Sequence, residues 1–365
     1  MTTTTDGHGW IGVEDYPHRM AGHCGSGALR DLLEWAGLSW GGKPLSEGTV
    51  FGLGGCLSFN YLRGPGLGTP FYLVGRGSGL TESLSTRLGI AGFAHDTDDP
   101  DEGRAWLDRE LNAGRPLLCW ADMSELPYLR VRMQMSRHDI VVTGYEPNRQ
   151  QVRVIDNDRA EPQVIPAAAL AAARSSTGFP TPTRHTCYPL RFPDSLPDQR
   201  TAAASACAQS AQSMTAPTDG NIITVPGAPA AGHGLGGVAT FLADLEAWPD
   251  VLDRTGETPE HDLHAALSTL AVFIEKAGTG GGLFRRLQAQ FLAELTDIDA
   301  RAHPAAVIYE ELAGTWSEIA ARAVDKTAGP PATRWRNVQD RARRLPQLET
   351  DGAHHLQDLA RVLAS

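Results

Sequence analysis

The chain contains no run of about 18 consecutive apolar residues, so no membrane-spanning helix is expected. It also lacks a surplus of positive charge: 32 Lys and Arg stand against 43 Asp and Glu, a formal net charge of −11. A nucleic-acid backbone or an anionic membrane calls for a basic face, so neither is expected as the main partner. The opening residues, MTTTTDGHGW, carry neither the basic nor the apolar region of a signal peptide, and a cytoplasmic location is expected. The five cysteines (Cys24, Cys56, Cys119, Cys187, Cys207) form no CxxC pair and no zinc spacing. Neither a disulfide framework nor a metal site is expected, and in a reducing compartment one thiol can serve chemistry. The glycine run GTGGGLFRR (278–286) lacks the Lys-Ser/Thr that closes a phosphate loop. HDLH (261–264) and His354–His355 have no matching third metal ligand, and no internal repeat is evident.

What is present is a globular composition, 41% hydrophobic and 21% charged over 365 residues, enough for two ordinary domains. Residues 10–193 read as an α+β domain. FYLVG (71–75), PLLCWAD (116–122) and TCYPLRF (186–192) are strand-like; RAWLDRELNAG (104–114) and PAAALAAARS (166–175) are helical. HDIVVTGYEP (138–147) and QVRVIDND (151–158) form a hairpin turning at Pro147, Asn148 and Arg149. Residues 194–234 read as an Ala-rich helix followed by a Pro/Gly-rich linker. From 235 to 365, apolar residues recur at helical spacing, which predicts an all-helical C-terminal domain.

Residues 21–35, AGHCGSGALRDLLEW, place Cys24 on the first turn of an apolar helix. Helix N-terminal amides lack intrahelical partners and the macrodipole adds positive charge, so a thiolate is favoured there. A small cysteine filling a tight turn accounts for the same residues. A thiol nucleophile needs a base and a group to orient it. His138 opens the strand HDIVVTGY, and Asp156 ends the next strand. Antiparallel neighbours bring such positions level, so Asp156 is placed to reach the far nitrogen of His138. A structural histidine and a turn-capping aspartate are the plain alternatives. Oxyanion donors would be the Cys24 amide and the His18 ring, with His23 second. Cys56 reads as a packing residue beside a close-packing turn, GLGG (52–55).

These residues carry a resemblance. A cysteine at a helix start, then HDIVVTGYE and VRVIDND, resembles the papain-like cysteine peptidases, especially bacterial leader peptidases of peptide exporters. That pattern has an oxyanion-hole Gln six residues before the cysteine, where this chain has His18. HCGSGALRDLLEW, SEGTVFGLGGCLSFNYL (46–62) and FYLVGR (71–76) resemble the N-terminal domain family of butirosin biosynthesis protein H. FIEKAGTGGGLFRRLQAQFLAEL (273–295) resembles the helical domain of unknown function that commonly follows it. The resemblance implies a papain-like fold and acyl transfer through Cys24, with His138, Asp156 and His18 as its catalytic partners. The acyl donor would be a phosphopantetheine thioester on an acyl carrier protein, the acceptor a small-molecule amine, and no further cofactor is expected. Tyr61, Arg76 and Arg285 are the candidate substrate-binding residues. Arg76 would hold a carboxylate or pair with an internal acid; Arg285 would meet the carrier arm's phosphate or simply open a packed helix. A hydrolase with the same triad, a repurposed scaffold subunit and a homodimer all stay open.

Overall fold

The computed structural model describes residues 9–64, 67–131, 134–216, 225, 228, 230–252 and 258–365. Contacts divide the chain into two compact units, Met1–Leu45 with Leu88–Leu196, and Ser46–Arg87 with Pro197–Ser365. This differs from the boundaries read from composition, because residues 46–87 pack with the C-terminal helices.

The first unit is built on an antiparallel sheet in the order Cys187–Tyr188, Leu117–Ala121, His138–Glu146, Gln151–Ile155, Gln163–Pro166. A short strand, Ile11–Gly12, pairs the far end of His138–Glu146. The expected hairpin is present, and Glu146 accepts from the Asn148 and Arg149 amides to fix its turn. Alternation sends Leu117, Cys119, Ala121, Ile140, Val142, Val152 and Val154 to one core. There they meet Leu107 and Leu111 of the helix Pro100–Asn112 and Leu170 and Ala173 of the helix Ala167–Arg174. The helix Cys24–Trp35 packs on the central strand His138–Glu146.

The second unit is helical around a small sheet. Strands Leu57–Leu62 and Tyr72–Arg76 pair antiparallel, and Ala230–His233 adds on the other side of Leu57–Leu62. The described residues from 235 to 365 are helical as read, while the stretch read as a linker supplies a strand, Ala230–His233. The reason lies in side chains: Phe59, Tyr61 and Phe71 are carried into a core with Phe241, Trp248 and Trp316. Period-two hydrophobicity announces a strand but not which core it joins.

Candidate active site

Cys24 is the first residue of its helix. His23 caps it, its ring nitrogen accepting from the Ser26 amide at 3.2 Å. No acidic residue occupies the first turn of the helix itself. Gly27 is a steric necessity: a Cβ there would stand 2.5 Å from that of Ala21. Cys24 is partly exposed, while the other four cysteines are buried. Burial pushes the Cys56 thiol up to about 11 and those of Cys187 and Cys207 to about 12, which makes them poor nucleophiles at neutral pH.

His138 opens the central strand and Asp156 follows the end of its neighbour, as expected. Their side chains meet, Nε2 to Oδ2, at 2.8 Å. The Cys24 sulfur is the ring's other electrostatic neighbour. Burial opposes charge on His138, but attraction and hydrogen bonding to Asp156, with the Cys24 sulfur adding, hold its proton well above the ordinary histidine range. Burial likewise opposes the Asp156 carboxylate; His138 and the Tyr128 hydroxyl, donating at 2.8 Å, outweigh it and depress its pKa. The sulfur also lies 3.8 Å from Oδ2 of Asp139, a neighbour the sequence reading did not single out.

His18 stands elsewhere in the arrangement. Its Nδ1 donates to Asp31 and its Nε2 to the Arg159 carbonyl, each at 2.7 Å. Both contacts require an N–H, so the ring is a cation. Burial works against that charge, and the hydrogen bonds to Asp31 and Arg159 overcome it. With both nitrogens engaged by Asp31 and the Arg159 carbonyl, His18 has no donor left for an oxyanion, and the Cys24 amide and His23 remain the candidates. The work of His18 is positional. Arg30 holds the Arg19 and Met20 carbonyls, and Asn157 and Ala21 exchange two bonds of 2.8 and 2.9 Å. The loop before Cys24 is thus tied to the segment bearing Asp156. Arg30, Asp31, Tyr128 and Asn157 were missed; the signal was a charged pair, Arg30–Asp31, inside an apolar helix.

The candidate substrate-binding residues belong to the other unit. Arg285 is fully buried, bonded to both carboxylate oxygens of Glu349 at 2.9 and 3.0 Å and to the Ser58, Gly75 and Leu283 carbonyls. Its guanidinium is saturated, so it cannot take a carrier phosphate as expected. Tyr61 is also buried, its hydroxyl donating to Asp244 at 3.0 Å. Arg76 is half-buried, donates to the Gly77 carbonyl and lies over the Phe284 ring at 5.8 Å. GLGG is the end of a helix, Glu47–Gly54, and its Gly55 cap, packed on the helix Arg285–Leu295. Among the described residues no three His, Cys, Asp or Glu side chains converge to hold a metal, and no helix is long and apolar enough to cross a membrane.

Fold and site define an α+β protein in which a buried histidine–aspartate pair addresses a cysteine at a helix N-terminus. Residues 23–157 match the family "Butirosin biosynthesis protein H, N-terminal", and over residues 168–356, half of its length, the chain belongs to the family "Domain of unknown function (DUF4872)". The first match opens one residue before Cys24 and closes one residue after Asp156. No curated protein matches the chain.

Proposed function

We propose that this chain is a cysteine-dependent acyltransferase of natural-product biosynthesis. The observation that carries the reading is the His138–Asp156 contact at 2.8 Å, on a ring that also addresses the partly exposed Cys24 thiol. Cys24 attacks the carbonyl of a carrier-protein thioester and its proton passes to His138. The oxyanion is met by the Cys24 amide at the helix N-terminus. The C–S bond to the phosphopantetheine arm breaks, and His138 returns the proton to the departing thiol. A small-molecule amine then attacks acyl-Cys24, the new C–N bond replaces the C–S bond, and Cys24 leaves as thiol. His138, neutral once the first thiol has left, takes the amine's proton and passes it to the departing Cys24 sulfur, and Asp156 keeps the ring oriented and stabilises its charge whenever it holds the proton. The antiparallel sheet, the cysteine-bearing helix and the chain order Cys, His, Asp support a papain-like arrangement. Five free cysteines suit a reducing, cytoplasmic setting.

The test is product partition from candidate acyl thioesters with and without amines. Conjugate formation through an adduct on Cys24, abolished by Cys24→Ala, is expected. Free acid alone would make the protein a hydrolase; turnover unaffected by Cys24→Ala would end the proposal.

A further inference from the structure

Within the first unit, a pocket of about 50 Å³ opens between the helices Pro100–Asn112 and Ala167–Arg174 and the segment carrying His185. Its walls are mostly apolar, Val152 and Leu170 among them, yet Arg104, Arg174 and His185 share them. Arg104 is accounted for, paired with Asp108 at 2.7 Å and lying over the Tyr145 ring. Arg174 is not. It is 3% exposed, its end nitrogens donate to the Gly103 and His185 carbonyls, and its Nε has no acceptor. Among the described residues no carboxylate pairs with it, so its permanent charge is met by carbonyl oxygens only.

His185 is 4% exposed, and its ring makes no hydrogen bond with any described residue. Burial and then the Arg174 charge hold the ring below the ordinary histidine range, against Asp98 and Asp99. It is therefore neutral at neutral pH, with one unused N–H. Neither aspartate fills the site: Asp98 pairs with Arg184, and Asp99 accepts from the Asp101 amide to cap its own helix. The same helix gives up a side chain for the ring, since a Cβ on Gly103 would stand 2.6 Å from His185 Cγ.

A buried cation without a carboxylate is costly, and one held beside an open imidazole marks a place for an anion. One uncompensated charge matches a monoanion rather than a phosphate dianion. The volume is several times the ~10–15 Å³ that one water needs, room for a carboxylate with one or two carbons. The apolar wall suits those carbons. We propose that this pocket binds a short-chain monocarboxylate, its oxygens held by the Arg174 charge and the His185 ring and its carbons lying on Val152 and Leu170. The site is separate from the Cys24 centre: Val152 precedes Asp156 by four residues, about 13 Å of extended chain. It does not rest on the acyl-transfer reading, and its test measures no turnover.

Propionate and propionamide, alike in shape and different in charge, are titrated into the full chain at constant ionic strength. The His185 ring is followed by ¹⁵N NMR and assigned through His185→Asn, since Asn tolerates the left-handed backbone there (φ 50). Propionate should shift the ring resonances saturably, and propionamide should not. Arg174→Gln should weaken propionate at least about tenfold. Ala171 is exposed and borders the pocket, so Ala171→Leu blocks the mouth without disturbing the core and should weaken propionate by a similar factor. Where Arg174→Gln fails to fold, Ala171→Leu carries the test. No saturable shift, an equal response to propionamide, or unchanged affinity in the folded variants overturns the proposal. So does inorganic phosphate that saturates the shift where propionate fails.

Discussion

His138 is the residue on which the chemistry turns, and its proton is the quantity to measure. Asp156 is the main group holding that proton, so Asp156→Asn should lower the imidazole pKa toward or below about 6.5, followed by NMR of the ring. The sign extends to stability. A raised histidine pKa contributes stability that is present below about 6.5 and fades as pH rises through the folded value. The stability gap between wild type and Asp156→Asn should therefore narrow toward alkaline pH; a gap that widens there contradicts the assignment. Rates of acyl transfer should fall about 10²–10⁴-fold in the same variant. His18 behaves differently because its ring is a clasp. His18→Ala should cost about 1–3 kcal/mol in thermal unfolding, with a smaller loss in the acylation step than Asp156→Asn causes. A collapse of acylation at unchanged stability would restore the oxyanion role. The sequence could place His18 near Cys24, but only the fold reveals that Asp31 and the Arg159 carbonyl occupy both ring nitrogens.

At the level of elements, strands and helices were legible where periodicity was strong. The hairpin 138–155 and the helix at Cys24 stand as read, because alternating hydrophobicity and a capped apolar stripe are local properties. Partner choice is not local. Gly52 illustrates it: a Cβ there would stand 2.0 Å from the Phe291 ring, so the glycine exists for the helix Arg285–Leu295, over 200 residues onward. Gly52→Ala should destabilise by about 1–3 kcal/mol, seen as a lower denaturation midpoint; an unchanged midpoint would mean the two helices separate freely. The start of that same helix misled for a related reason. Arginines after a glycine run look available to a phosphate, yet Arg285 is a buried partner of Glu349. Glu349→Ala leaves that cation uncompensated and should cost about 3–5 kcal/mol.

At the level of the whole molecule, two compact units share a chain that leaves the first unit at Leu45 and re-enters it at Leu88. Composition showed a two-part protein but drew the line near residue 194, where the texture changes. The excursion 46–87 could not be read, since its strands and turns look like those around them; what assigns them is aromatic packing with helices far downstream. The triad candidates were legible for the opposite reason. Cys24, His138 and Asp156 sit at a helix start, a strand start and a strand end, positions that sequence patterns mark well and that antiparallel pairing brings together. Asp139 escaped notice because nothing in a strand sequence says that a helix N-terminus will arrive at its first residues.

The account stands or falls on whether that arrangement makes one sulfur reactive. Competitive alkylation with iodoacetamide at neutral pH, read at all five cysteines by peptide mapping, measures this directly. Cys24 should react faster than free cysteine, the four buried thiols should lag far behind, and His138→Ala should slow Cys24 by at least about tenfold. A Cys24 no faster than free cysteine, or one indifferent to loss of the His138 ring, would contradict the account.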